Sequence, residues 1–148
     1  MLAWIWKSVA AGLAGALAHT ALMSLKAALG LLPAFDPYRA LQDTLAAWTG
    51  TAGHPALAWA LSLMSGATLL GLLFGRLYPR LPGRLGIAKG MVFGCIGWIG
   101  MNLMLFPAIG LGAFGAAAGL GAGPALLSLA MVLTYGAVMG AVYAALAA

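Results

Sequence analysis

His19 is the one ionisable side chain in the middle of a long apolar stretch. Burying an imidazole in lipid is costly. Such a residue either hydrogen-bonds to a neighbouring helix or serves a ligand, a proton relay or a solute path. At about 100° per residue, Ser8, Gly12, Gly15, Met23 and Lys26 fall on the same narrow helical face as His19. Haem ligation there would need a second axial ligand at similar depth. His54 stands at the outer end of the next apolar stretch, and Met101 offers a thioether more commonly used for packing. Asp36, Arg39, Asp43 and His54 gather in or beside one connection. Their spacing matches no metal-site pattern, and a solvated polar face is the expectation. Both acids lie outside the apolar stretches, which argues against carboxylate-based proton coupling. No Ser-His-Asp, nucleotide-binding or phosphate-cradling pattern occurs. No catalytic residue, metal or cofactor is therefore expected. His19, Ser8, Asn102, Tyr78 and Tyr143 are the polar positions left as functional candidates.

The elements that must position these residues follow from composition. Of 148 residues, 64% are hydrophobic and only 6% charged, against about 25% charged in a soluble domain. A bilayer solves the problem of covering such a surface, because lipid is the solvent for the outer face. Four apolar stretches run from Ser8 to Leu32, Pro55 to Gly75, Ile87 to Phe106 and Pro124 to Ala147. Each is near the ~20 residues that cross a bilayer core as a helix. The expectation is an all-α, polytopic membrane protein of four transmembrane helices arranged as two tandem helical hairpins. A signal peptide ending at Ala16-Leu17-Ala18 is not expected, since apolarity continues to Leu32 and Trp4 and Trp6 precede Lys7. The one cysteine, Cys95, falls inside an apolar stretch and forms no internal disulfide.

The pI near 9.9 reflects scarce acids, with seven Lys and Arg in all. No basic cluster is interleaved with aromatics, so nucleic acid is not expected as a partner. Lys7 flanks the first stretch, and Arg76, Arg80, Arg84 and Lys89 crowd the middle connection. The connection from Pro107 to Gly123 has no charge. By the positive-inside rule, both termini and the middle connection are expected in the cytoplasm. Asp36-Pro37 should start a short helix, with Asp as cap and Pro in the first turn. Leu41, Leu45 and Trp48 would face the membrane surface from it. The Gly-rich connection from Pro107 to Gly123 reads as a loop over the outer end, with a re-entrant segment as the alternative.

Glycine spacing suggests an internal repeat and the packing surfaces. Lys7, Gly12 and Gly15 recur as Lys89, Gly94 and Gly97 at a constant offset of 82, which takes Ser8 to Gly90. Gly71, Gly75 and Tyr78 recur as Gly136, Gly140 and Tyr143 at a constant offset of 65. Residues i, i+4 and i+7 share a helical face, and small residues there let backbones approach in lipid. Gly12, Gly15, Gly71, Gly75, Gly90, Gly94, Gly97, Gly136 and Gly140 are thus the expected packing positions. The glycine faces of the first and third stretches are expected to meet at the centre. The chain reads as one transmembrane domain, 1–148, with repeats over about 1–80 and 85–148.

Three segments carry a resemblance: Lys89-Gly-Met-Val-Phe-Gly, Phe106-Pro-Ala-Ile-Gly-Leu-Gly-Ala-Phe-Gly and Thr134-Tyr-Gly-Ala-Val-Met-Gly-Ala-Val-Tyr. With them the chain resembles the small four-helix bacterial inner-membrane proteins of the YagU-like kind. The resemblance implies a fold and a bacterial inner membrane, and no activity. The expected role is a non-enzymatic membrane bundle, either self-assembled as a homo-oligomer or packed into a larger membrane complex. A small-solute channel along the His19 face is the alternative, and a haem-binding membrane subunit a second one.

Overall fold

The computed structural model describes residues 2–148. Five helices are α1 (Leu2–Ala28), α2 (Pro37–Thr49), α3 (Ala56–Leu77), α4 (Gly86–Ala108) and α5 (Gly123–Ala147). The described residues contain no strand. All but α2 are long and apolar enough to cross a membrane. Their outer faces carry Leu17, Leu69, Ile96 and Leu126, each more than half exposed. In water that surface would aggregate; in a bilayer it meets its own kind of solvent. The chain is a multi-pass membrane protein.

The helix limits differ from the apolar stretches at the ends, for local reasons. α1 starts at Leu2, earlier than Ser8, and stops at Ala28 rather than Leu32. Past that point Gly30 and Leu32 take positive φ values of 62° and 47°. The Leu31 amide returns to the Lys26 carbonyl at 3.1 Å. The Lys26 ammonium, itself buried, donates to the Phe35 carbonyl at 2.5 Å. The helix is thereby closed and the chain turned toward α2. There the Asp36 carboxylate accepts the Arg39 amide at 3.1 Å and Pro37 occupies the first turn, as the capping rule requires.

The connection from Pro107 to Gly123 folds into a compact cap. Leu111 and Gly115 are buried in it, and a short 3-10 segment spans Ala113–Ala118. Its amides find local partners, Leu111 on the Phe106 carbonyl and Ala117 on the Leu111 carbonyl, both at 2.9 Å. Phe35, Phe106, Ile109 and Leu111 form one buried cluster beneath it.

The central element is α5. It packs against α4 most extensively and against α1 next, while α1 also packs along α3. The expectation that the glycine faces of α1 and α4 meet is corrected here: α5 lies between them, and each face is used on a different neighbour. A Cβ on Gly71 would stand 2.6 Å from the Ser8 carbonyl oxygen and 3.1 Å from the Gly12 Cα. A Cβ on Gly136 would overlap the Gly90 carbonyl and stand 3.5 Å from the Gly94 Cα. Ser8 and Gly12 map onto Gly90 and Gly94, and Gly71 onto Gly136, under the same two offsets read in the sequence. The α1–α3 and α4–α5 hairpins therefore use one and the same backbone contact. Gly140 repeats it against the Gly86 carbonyl, and Gly75 against the Ser8 side chain. Gly15 turns instead to α5, where a Cβ would meet the Tyr135 carbonyl at 2.7 Å.

Gly97 departs from the pattern. A Cβ there would meet nothing within 4 Å, so Gly97 is not a packing residue. This contrast makes a clean test. Gly140→Ala forces a methyl against a backbone carbonyl, which a helix can relieve only by moving away. It should destabilise the detergent-solubilised protein by about 1–3 kcal/mol or more. Gly97→Ala should stay within about 0.5 kcal/mol of the parent. Thermal unfolding of the two variants side by side measures the difference; equal midpoints would mean that Gly140 does not lie in a close-packed seam.

Candidate functional site

The residues singled out for chemistry fall into three separate places. Ser8 is fully buried between α1 and α3, with its hydroxyl donating to the Trp4 carbonyl at 2.7 Å. Beside it Tyr78 and Tyr143 stand with ring centroids 4.6 Å apart, each edge-on to Phe74. The Lys89 ammonium donates to the Tyr78 carbonyl at 2.9 Å and lies 4.4 Å from the centroid of its ring. This end of the bundle, where the termini lie, is an aromatic plug. Its polar groups are spent on closing the junction of α3 and α4.

Asn102 sits elsewhere, fully buried in α4. Its amide nitrogen donates to the Trp98 carbonyl at 2.8 Å, while its carbonyl oxygen has no partner among the described residues. Trp98 in turn donates to the Ser128 hydroxyl at 3.0 Å, linking α4 to α5.

His19 stands in the third place, and its partners come from elements the sequence did not connect to it. Tyr38, on the surface helix α2, points inward and is buried. Its hydroxyl lies 3.3 Å from His19 Nδ1 and 3.1 Å from the Ser62 hydroxyl on α3. Trp59 packs against the Tyr38 ring, with centroids 4.2 Å apart and the planes tilted by 38°. Burial first, and the neighbouring Asp36 carboxylate after it, push the Tyr38 phenol above its ordinary value, against the lowering effect of hydrogen bonds to Ser62 and Thr20. Tyr38 therefore stays a neutral phenol and a hydrogen-bond donor well into alkaline solution. The Tyr38 hydroxyl engages His19 Nδ1, and the hydrogen bonds among the described residues leave Nε2 out. In a neutral imidazole one ring nitrogen donates and the other accepts.

Beside His19 lies a cavity of about 420 Å³, bounded by all four spans. Ala16 and His19 from α1 and Val132 and Tyr135 from α5 form its floor. Ser62, Ser65 and Leu70 on α3 and Gly97, Met101 and Met104 on α4 form its walls. It exists because α3 and α4 do not pack on each other over this length; they touch near one end, where Phe74 and Phe93 meet edge-on at 5.3 Å. Both walls contain a π-helical turn, Gly66–Leu70 in α3 and Met101–Leu105 in α4. Such turns widen a helix locally and recur at functional sites. The Tyr135 hydroxyl donates to the Gly66 carbonyl at 2.8 Å, where the first of these turns begins.

Gly97 and Gly100 face this space, and a Cβ on either would meet nothing within 4 Å. Ser65, Gly97, Met104 and Leu105 on its rim belong to exposed faces of their helices. The cavity thus communicates with the bilayer side. Below His19 the same stripe is closed: a Cβ on Gly12 would stand 2.7 Å from the carbonyl oxygens of Gly66 and Ala67, and one on Gly15 would meet Tyr135 and Met139.

The remaining candidates play structural parts. His54 is exposed just ahead of α3, its Nδ1 accepting the Ala56 amide at 3.1 Å. Asp36 and Asp43 are exposed, and no group of three or more His, Cys, Asp or Glu is gathered among the described residues. Sequence reasoning missed Tyr38, Ser62, Ser65 and Tyr135. Tyr38 follows directly on the Asp36-Pro37 cap signal, so its place one residue into a surface helix was readable; its inward direction was not.

The family described as a family of unknown function, DUF6789, matches residues 2–148, and the chain belongs to it. No curated protein and no solved structure matches the chain.

Tyr38 is the residue on which the His19 arrangement turns. Tyr38→Phe keeps the ring on Trp59 and removes the hydroxyl shared by His19 and Ser62. It should cost about 1 kcal/mol, the scale of polar contacts between membrane helices. Spectrophotometric titration should place the tyrosinate transition lost in Tyr38→Phe above the ordinary tyrosine range near pH 10. A transition at or below that range would mean the phenol is solvated rather than buried.

Proposed function

We propose that this DUF6789 member is a non-enzymatic helical module of the bacterial inner membrane, built as two tandem hairpins over about 1–80 and 85–148, with both termini in the cytoplasm. It serves as a packing unit, as a homo-oligomer or as an accessory subunit of a larger membrane assembly. The observation that carries this reading is the backbone-to-backbone contact made twice, Gly71 on Ser8 and Gly12, and Gly136 on Gly90 and Gly94. Those contacts use the small, polar face of α1 for packing, where a solute path would need it wet. The likeness of three glycine-rich segments to YagU-like proteins supports the bacterial inner membrane. The basic residues Arg76, Arg80, Arg84 and Lys89, set against an uncharged Pro107–Gly123 connection, support the orientation.

The channel reading draws less support, because the stripe below His19 is filled by Gly66, Ala67 and Tyr135. The haem reading is weaker still. His54 is engaged at the start of α3, which leaves His19 without a second imidazole.

Single cysteines at Arg80 and at Ala116, in a Cys95→Ala background, test the orientation in intact cells. An impermeant maleimide should label the Ala116 position and not the Arg80 position until the membrane is permeabilised. Labelling of both from outside would sink the cytoplasmic placement of the termini. Liposomes carrying the purified protein should release small neutral solutes no faster than empty ones. A flux that His19→Leu blocks, at unchanged unfolding temperature, would transfer the case to the channel.

A further inference from the structure

We infer that the cavity between α3 and α4 is a binding site for a neutral amphiphile drawn from the bilayer: an apolar tail ending in a head group that bears a carbonyl or hydroxyl. Its size is the first argument. A volume of about 420 Å³ lies within the range of pockets that hold small ligands, roughly 300–1,000 Å³. Its chemistry is the second. Leu70, Phe93, Met101, Met104 and Val132 line most of it, while His19, Ser62 and Ser65 supply polar atoms from neighbouring positions. An apolar chamber with a few convergent polar groups suits a ligand of matching polarity. Among the described residues no Lys, Arg, Asp or Glu lines the site, so a charged head group would be buried without a counter-ion, at high cost.

Access is the third argument. The rim is formed by Gly97, Met104 and Ser65, all on exposed faces of membrane-spanning helices. A ligand already dissolved in lipid reaches the chamber without crossing water. The two π turns are the fourth. Each wall is widened where it faces the chamber, in spans whose other contacts are tight. His19 has a definite part here. Tyr38 holds Nδ1 and so fixes the ring, and Nε2 is left to meet the head group. The tyrosine is a positioning residue in this arrangement, acting through the imidazole.

Two bilayer constituents share the required chemistry, prenyl-type quinones and diacylglycerols, and the experiment separates them. The probes are a benzoquinone with a decyl tail and dioctanoylglycerol, each titrated into the full-length protein in mild detergent, with bound mass read by native mass spectrometry. The parent should take up one molecule of one probe, and which of the two it takes identifies the source. Dioctanoyl phosphatidic acid, with the same tails and a charged head, should bind at least tenfold more weakly than the glycerol probe if that is the ligand. Gly97→Leu and Gly100→Leu each start a side chain into the empty space, since a Cβ at either position would meet nothing within 4 Å. Both should reduce binding at least tenfold while leaving the unfolding temperature in place. His19→Leu removes one hydrogen bond and should weaken binding roughly tenfold. Tyr38→Phe should weaken it less, because the Nε2 atom of His19 stays in place while the ring loses its hydroxyl partner.

The site is refuted if neither neutral probe adds to the parent, or if both glycine variants bind as the parent does. Equal binding by His19→Leu overturns the head-group assignment. A Soret band in the protein as purified, removed by His19→Leu, would replace the amphiphile with haem.

Discussion

Everything in this bundle depends on how closely two helix backbones can approach in a solvent that gives apolar side chains no reason to leave it. Lipid rewards neither Leu nor Ile for burial, so helix association has to come from dispersion contact and polar groups. Removing the side chain is the most direct way to increase that contact. Gly90 and Gly136 do this reciprocally: a Cβ on either would overlap the other's carbonyl. The same geometry ties Gly71 to Ser8 and Gly12. Seams of this kind tolerate no addition, so they set the spacing of the helices to which every other contact must adjust.

The cavity is the counterpart of those seams. α5 holds α4 on one side and α1 on another, and α1 holds α3. With each span committed to a close partner, α3 and α4 are left facing one another across a gap that closes at one end, where Phe74 meets Phe93 and Lys89 meets Tyr78. Gly94 and Gly97 sit on either side of that transition along one helix. A Cβ on Gly94 would lie 2.9 Å from the Val132 carbonyl, whereas Gly97 opens onto free space. Within one turn, the same residue type changes from a contact surface to a cavity wall.

Outside the membrane-spanning helices, α2 anchors the end of the bundle where the cavity lies. Its cap is local, Asp36 on the Arg39 amide. Its tertiary hold is Tyr38, inserted among His19, Ser62 and Trp59. The Lys26 ammonium on the Phe35 carbonyl brings the chain into position for that insertion. A buried ammonium is expensive unless hydrogen-bonded, and here its bond closes a helix end and directs the following segment at once.

The sequence by itself determined the helical class, the four spans, the start of α2 and the spacings that place Gly71 and Gly136 in equivalent contacts. Each of these is local or periodic: hydropathy over about 20 residues, a capping Asp before a Pro, glycine at four-residue intervals. Only the tertiary structure decided which face meets which helix. Glycine carries no side chain to reveal its neighbour, so Gly97 reads in sequence like Gly94. The central place of α5, which separates the glycine faces of α1 and α4, was invisible for the same reason. His19 announced itself as an ionisable group in an apolar span. Its partner Tyr38 lies 19 positions on in the chain, and Ser62, which shares the Tyr38 hydroxyl, lies 43 positions on; no helical periodicity connects residues on three different helices. That juxtaposition, and the chamber beside it, exist only once the seams have fixed the distances between spans.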